Sequence, residues 1–188
     1  LSMPVSVDDE LDTDPELRYR NGKIDGYLSR LHYFSDWIAN NEQKGFVTDI
    51  TQISGGVPDT LQLHFMSRNA DRYPALQRNA TLVDGIAAQE RSLNGKIIYY
   101  LPTFRLDSAS LATIQSGDII AFTTDIPGLD IAHVGIAIQN NGEVRLIHAS
   151  SSQGRVIVEN RSILQQLKDN KKFSGIRIIR PQNFESRK

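Results

Sequence analysis

Hydrophobic positions recur at helical spacing in the first half of the chain and at strand spacing in the second half. The helical pattern predicts a short helix from Ser35 or Asp36 to about Asn41, and one or two helices within residues 60–93. The strand pattern predicts a loose strand at 46–53 before a turn at 55–58, and later strands at 97–101, 118–123, 132–139, 143–149, 156–158 and 176–179. A short helix or turn at 108–114 and a polar helix at 161–170 lie among these later strands. Helices followed by an antiparallel sheet predict an α+β fold.

The chain is predicted to form a single domain behind a short lead-in. Residues 1–17 are polar and acidic and predict an irregular segment, while residues 18–188 show no internal repeat and no linker. The first residues lack the apolar core of a secretory signal, and no run approaches the ~20 apolar residues of a membrane span. We therefore expect neither feature within these residues.

A hairpin near the middle of the strand-rich half is the most informative segment. Asn141 and Gly142 are a strong hairpin signal, because a type I′ turn needs positive φ at both central residues. If these two residues form the turn, Asn140 pairs with Glu143 and the register of both strands is fixed.

Side-chain alternation in that register places two histidines on one face of the hairpin. This face carries His133, Gly135 and Ala137 opposite Leu146, His148 and Ser150. The other face carries Ala132, Val134, Ile136 and Ile138 opposite Arg145, Ile147 and Ala149, and its apolar character predicts that it is the core face. His133 and His148 are diagonal neighbours on adjacent strands, with roughly 7–8 Å between their backbone positions, and Gly135 leaves room beside His148.

Two imidazoles placed in this way suit a general base and the group that orients it. One takes a proton from a nucleophile, and the other fixes its tautomer through the second ring nitrogen. The alternative is that each is an ordinary satisfied or exposed histidine of a sheet. The residue pattern leaves both interpretations open.

Three segments carry a resemblance to a known family. They resemble the N-acetylmuramoyl-L-alanine amidase-like family, known as domain of unknown function 1460. The segments occur in the same order as in the family and are RYRNGKIDGYLSRLHYFSDWI, SGDIIAFTTDIPGLDIAHVGIAI and LIHASS. The resemblance covers roughly residues 18–180 and places the chain among the NlpC-type, papain-like cell-wall hydrolases. It implies a helix with a nucleophilic cysteine, packed on an antiparallel sheet that carries the histidines. His133 matches the general base, and His148 matches the polar residue that orients it.

The resemblance also implies a reaction and a location. The family cleaves the amide that joins N-acetylmuramic acid to L-alanine without a cofactor, and anhydro-muropeptides are the implied substrates. The cysteine thiolate attacks the carbonyl, and the imidazolium protonates the leaving amine. Such a substrate implies the cell envelope or periplasm of a bacterium. Two alternatives stay open: an endopeptidase that cuts within the stem peptide, and a non-catalytic module that binds muropeptides.

The nucleophile is where this sequence departs from the family. The 188 residues contain no cysteine, and only 17 residues precede the Arg-Tyr-Arg segment that should follow the cysteine helix. The sequence omits residues that the protein has, or the chain is a product that lacks the helix, or the protein is a natural pseudoenzyme. Loss of that helix would cost ~1.5–3 kcal/mol per large buried side chain, against the ~5–15 kcal/mol that a folded domain has. We therefore favour omitted residues, or another chain that supplies the helix.

Further polar and aromatic residues are candidates for binding the substrate. In the family the first segment lines the substrate groove, and the loop before the His133 strand should rim the cleft. The candidates are Ser29, Arg30, His32, Tyr33, Asp36, Trp37, Thr123 and Asp130. The alternative is that Tyr33 and Trp37 are core aromatics and that Arg30 pairs with Asp36. For Asp130 the alternative is a cap on its own turn.

Charge and ligand counts narrow the function further. A formal net charge of −1 gives no reason to expect nucleic acid as a partner. A zinc site would need about three protein ligands, for which His133 and His148 could combine with His32 or Asp130. No His-Glu-x-x-His motif supports such a site, and we expect no metal.

Overall fold

The computed structural model describes residues 15–140 and 142–182 and contains an antiparallel sheet flanked by helices. The helices are α1 (Pro15–Arg18), α2 (Phe34–Gln43), α3 (Phe65–Arg68), α4 (Ala80–Leu93), α5 (Ser108–Ala112) and α6 (Ile163–Asp169). The strands are β1 (Val47–Asp49), β2 (Val57–Thr60), β3 (Ile97–Pro102), β4 (Ile119–Thr124), β5 (Ile131–Asn140), β6 (Glu143–Ser150), β7 (Arg155–Val158) and β8 (Phe173–Pro181). The predicted α+β fold is confirmed.

The strands form one antiparallel sheet that brings distant parts of the chain together. Its order is β2-β3-β8-β4-β5-β6-β7, and β1 pairs with β8 off this path. The last strand, β8, therefore lies between β3 and β4, which precede it by many residues. The histidine hairpin, β5 and β6, lies between β4 and β7.

Two predictions for residues 46–58 differ from the structure. The strand predicted at 46–53 is only Val47–Asp49 and is followed by a turn, in which Asp49 Oδ1 accepts from the backbone N of Thr51. The turn predicted at 55–58 ends earlier, because Val57 and Pro58 already pair with β3. Pro58 is tolerated there since β2 is an edge strand, where an N–H that faces away from the sheet makes no ladder bond.

The start of the chain was predicted to be irregular. Residues 1–14 lie outside the described residues, and the last three residues of the predicted lead-in belong instead to helix α1. Among the described residues, no helix is long and apolar enough to cross a membrane.

Both faces of the sheet are covered, but by different helices and to different extents. On one face α6 packs, and the core there includes Phe122, Leu146 and Ile163, all 0% exposed. On the other face α2 packs through Ile38 against β4 and β8. A third cluster joins α3 and α4 through Leu63, Leu76 and Ile86 beside the sheet.

The core face predicted for the hairpin is wrong. The face that carries the histidines is the buried one: Ala137 is 1% exposed and Leu146 0%, whereas Ile136 on the other face is 46% exposed. Helix α6 covers the first face, whereas on the second face the cluster around α2 includes Val134 of β5 and leaves Ile136 exposed. Ile136 fits an exposed position in the strand because β-branched residues favour pleated structure even at a surface.

Helix α2 is fixed in place by two polar contacts at its start. The backbone N of Ser35 donates to Asp130 Oδ2 at 2.7 Å, which ties the helix to the loop before β5. Arg177 on β8 donates to Ser35 Oγ at 2.9 Å and to Asp49 Oδ2 at 2.6 Å. The segment before α2 is therefore held beside the strand that carries His133.

Candidate active site

His133 on β5 and His148 on β6 form a direct pair. His133 Nε2 and His148 Nδ1 lie 2.8 Å apart, with ring centroids 4.8 Å apart and ring planes at 89°. The hairpin register is the one predicted from Asn141-Gly142: Asn140 pairs with Glu143, and Ile136 with Ile147. Gly142 has φ 82°, as the turn requires, while Asn141 lies outside the described residues.

Two phenylalanines form the wall behind His133. The ring of Phe122 on β4 lies 5.9 Å from the His133 ring, and that of Phe173 on β8 lies 6.5 Å away at 19°. Burial lowers the pKa of His133 below its ordinary value, and the neighbouring His148 lowers it further. A neutral imidazole at neutral pH can accept a proton, which is what a general base needs.

Gly135 makes the space that the pair occupies. A Cβ at this position would lie 3.1 Å from the carbonyl O of Ile147 and 3.3 Å from His148 Cβ. A larger residue would therefore press on His148 from the neighbouring strand. The prediction that Gly135 leaves room at the pair agrees with this geometry.

Glu159 is a member of the site that sequence reasoning missed. Its Oε2 lies 3.8 Å from His148 Nε2, on the side of the ring away from His133. The backbone N of Glu159 donates to the carbonyl O of Leu146 at 2.8 Å, which extends the β6–β7 pairing by one position. Because Leu146 and His148 face the same way, the register of β7 was the only signal that could have found Glu159. No motif marks it.

Arg161 holds Glu159 in its charged form. Arg161 Nη2 donates to Glu159 Oε2 at 2.8 Å, and Arg161 Nε donates to Oε1 at 3.2 Å. These bonds lower the pKa of Glu159 to about 2. The site thus contains a line of three groups, His133, His148 and Glu159, whose last member is anionic at neutral pH.

The predicted substrate residues before α2 divide into surface and buried groups. Arg30 is exposed, and Ser29 and His32 are half-buried. Ser29 Oγ donates to the carbonyl O of Gly26 at 2.7 Å, so this hydroxyl also shapes its own loop. His32 Nε2 lies 2.8 Å from the carbonyl O of Tyr27, and burial lowers the pKa of His32.

Tyr33 is a buried residue whose hydroxyl is already engaged. It is 5% exposed; its hydroxyl donates to Glu90 Oε1 at 2.6 Å and accepts from the backbone N of Met66 at 2.9 Å. Burial, and then the bond to Glu90, raise the pKa of Tyr33 far above its ordinary value. Its position agrees with the core-aromatic alternative.

Asp36 and Trp37 lie in the first turn of α2. Asp36 is 5% exposed and pairs with Arg20, so the alternative pairing with Arg30 is not the one formed. Trp37 is half-buried and stacks on Phe34, with ring centroids 5.0 Å apart and planes at 9°. Both side chains thus stabilise the segment that presents Arg30 and His32.

Thr123 and Asp130 line the same open groove of about 330 Å³, near the entrance to β5. Thr123 is 7% exposed, and its hydroxyl lies 2.9 Å from Ser174 Oγ. Asp130 caps the first turn of α2 through Ser35, and not its own turn as the alternative interpretation expected. The structure brings these two predicted residues together on one wall.

Comparison with known proteins identifies the family. Residues 6–176 match the family model of N-acetylmuramoyl-L-alanine amidase-like proteins. The chain belongs to this family. It is 43% identical to an N-acetylmuramoyl-L-alanine amidase from Bacteroides uniformis, with a TM-score of 0.86 over 90% of this chain and 71% of that one. No curated protein is significantly similar to it.

Two further structures are similar to this member of the amidase-like family. One, from Bacteroides fragilis, has the provisional name xylanase and is 44% identical, with a TM-score of 0.84 over 88% of this chain and 72% of that one. The other, from Legionella pneumophila and assigned to domain of unknown function 1460, is 21% identical, with a TM-score of 0.65 over 90% of this chain and 67% of that one. At that identity it supports the fold alone.

Family membership gives the chain an amidase-like function on a peptidoglycan-related substrate. No group of three or more His, Asp or Glu side chains within residues 15–140 and 142–182 could hold a metal ion.

Proposed function

We propose that this protein is a peptidoglycan amidase that hydrolyses the amide between N-acetylmuramic acid and L-alanine. His133 is the general base, and His148 orients it. The observation that carries the proposal is the 2.8 Å contact between His133 Nε2 and His148 Nδ1 in a member of the amidase-like family. Anhydro-muropeptides in the bacterial cell envelope are the proposed substrates.

The pair suits attack by a thiol. His133 Nε2 is engaged by His148, which leaves Nδ1 to take the proton of the nucleophile. The thiolate then attacks the carbonyl carbon, and the imidazolium returns the proton to the departing amino group of L-alanine. Water afterwards hydrolyses the thioester, and His133 takes its proton in turn.

The thiol has to come from outside the 188 residues, because they contain no cysteine. The Bacteroides uniformis amidase is longer, since this chain covers 71% of it. We propose that a preceding segment of the same protein, or another chain, supplies the cysteine helix. The intact mass of the protein from its native source tests this proposal. A value near 21.1 kDa would contradict the presence of a preceding segment.

The substrate surface is proposed to have two walls. Ser29, Arg30 and His32 form one, and the groove with Thr123 and Asp130 forms the other. An arginine can fork onto a carboxylate of the stem peptide. Tyr33, Asp36 and Trp37 support the first wall from behind, through their contacts with Glu90, Arg20 and Phe34.

The assay compares the 188-residue chain with the longer protein on purified anhydro-muropeptides. Release of a peptide that begins with L-alanine, by the longer protein only, is the expected result. Cleavage after D-glutamate would indicate an endopeptidase instead of an amidase. Binding without turnover by both proteins would indicate a muropeptide-binding module. Mass spectrometry of the products separates these outcomes.

The variant His133→Gln tests the base directly. We expect kcat to fall by roughly 10²–10⁴-fold with little change in KM, because the proton acceptor is lost while the groove is kept. His64→Gln is the matched control, since His64 directly precedes α3 and lies outside the pair. Full activity of His133→Gln would contradict the assignment.

A further inference from the structure

The nitrogen of His148 that faces away from His133 has no ordinary partner. His148 Nε2 is buried and makes no hydrogen bond with any described residue. Leaving a buried imidazole nitrogen without a partner costs free energy, so a nearby group should compensate for it. The acidic oxygen paired with it is Glu159 Oε2, at 3.8 Å.

Glu159 is built into this position and is not a loose surface acid. Its side chain is 13% exposed, and Arg161 binds both carboxylate oxygens. Its backbone N–H is bonded to the carbonyl O of Leu146 on β6, which fixes the carboxylate beside the His148 ring. At 3.8 Å the contact is electrostatic, since it exceeds hydrogen-bond length.

We propose that Glu159 is a positioning residue that sets the tautomers of both imidazoles, so that His133 Nδ1 carries the free lone pair. A carboxylate beside His148 Nε2 favours the tautomer with the proton on that nitrogen. His148 Nδ1 is then an acceptor, and His133 Nε2–H has to donate to it across the 2.8 Å contact. The catalytic consequence rests on the function proposed above, whereas the tautomers do not.

The opposite arrangement explains why the choice matters. If His148 Nδ1 carried the proton, its Nε2 lone pair would face the carboxylate, and two acceptors would oppose each other. His133 Nε2 would then accept, its Nδ1 would hold the proton, and no lone pair would face a nucleophile. Glu159 therefore selects the tautomer of His133 that can work as a base.

Nitrogen-15 spectra of the imidazole rings in the 188-residue chain test the proposal without any turnover. We expect the wild-type chain to show Nε2–H on both His133 and His148 at a pH where the rings are neutral. Glu159→Leu should shift His148 and His133 towards Nδ1–H, and Glu159→Gln should shift them less, because its amide oxygen keeps only a partial negative charge beside His148 Nε2. Glu143→Gln, an exposed acid at the start of β6, is the control.

Several outcomes would overturn the proposal. A wild-type chain with Nδ1–H on His148 contradicts it without any variant, so a misfolded Glu159→Leu would not prevent the test. Unchanged tautomers in a folded Glu159→Leu variant also contradict it. In the longer protein we expect Glu159→Leu to lower kcat on the order of 10-fold at nearly constant KM, with a smaller loss in Glu159→Gln. If the tautomers change in Glu159→Leu but the longer protein has no amidase activity, only the proposed function is contradicted.

Discussion

His133 and His148 are the same residue type, and their surroundings assign them different parts. His133 is enclosed by Phe122 and Phe173, and burial lowers its pKa. His148 lies between His133 and the anionic Glu159. His133 is therefore suited to accept a proton, and His148 is suited to orient the His133 ring.

Two replacements of His148 should distinguish the effect of its hydrogen bond to His133 from the effect of its size. His148→Leu removes the acceptor for His133 Nε2 and should lower kcat by roughly 10²-fold. His148→Asn keeps a polar side chain that can bond to His133, and should retain more of the activity. Steady-state kinetics of the two variants, with thermal unfolding as the folding control, is the measurement. An unchanged kcat in His148→Leu would mean that His148 has no orienting role.

The hairpin is the element that brings the pair together, and Gly135 is its most constrained position. A Cβ there would lie 3.3 Å from His148 Cβ, so the neighbouring strand has to give by a few tenths of an ångström. We expect Gly135→Ala to lower kcat severalfold, because small displacements of catalytic groups reduce rate steeply. Ala137→Gly, one pair further along the same face, is the comparison for a change in strand propensity. Unchanged kinetics in Gly135→Ala would show that the pair tolerates the added methyl group.

Helix α2 depends on the loop before β5 for its first turn. Asp130→Ala removes the acceptor for the backbone N of Ser35 and should lower the free energy of unfolding by about 1 kcal/mol. Urea unfolding measures this loss, and Asp125→Ala, an exposed acid in the same loop, is the control. A higher KM with unchanged stability would instead assign Asp130 to the substrate alone.

At the scale of the whole molecule, two half-buried histidines link stability to pH. Burial lowers the pKa of both His133 and His32, so the unfolded chain binds more protons than the folded chain below the ordinary value of 6.5. Stability is therefore complete above about pH 6.5 and is lost as pH falls towards the folded values. The carboxylate of Glu159 contributes no change in that window, since its pKa is about 2 in the folded chain and 4.5 ordinarily.

The measurement is the free energy of unfolding in urea at several pH values. We expect a flat profile from pH 7 to 8 and a decline below pH 6.5, with a slope of at most about 1.4 kcal/mol per pH unit for each histidine. His32→Gln and His133→Gln should each reduce that slope. A profile that stays flat to pH 5 in the wild-type chain would contradict the link.

Much of the candidate site could be predicted because it depends on local rules. The turn residues Asn141-Gly142 fix the hairpin register, and strand alternation then places His133 and His148 on the same face. The position of α2 also follows from its own sequence, which predicts a helix from Ser35 or Asp36 to about Asn41 within the longer observed Phe34–Gln43. Each of these inferences needs only residues that are close in the chain.

The tertiary structure alone decided which face of the hairpin is buried and which groups complete the site. Helix α6 covers the histidine face, and no periodicity within β5 or β6 predicts that a helix which begins at Ile163, after β6 has ended at Ser150, packs there. Glu159 reaches His148 through the β6–β7 pairing, Arg20 replaces Arg30 as the partner of Asp36, and Asp130 caps a helix that begins almost 100 residues before it. The sequence by itself thus determined the histidine pair, because turn chemistry and alternation are local. Burial and long-range partners came only with the fold, because they depend on which distant elements pack together.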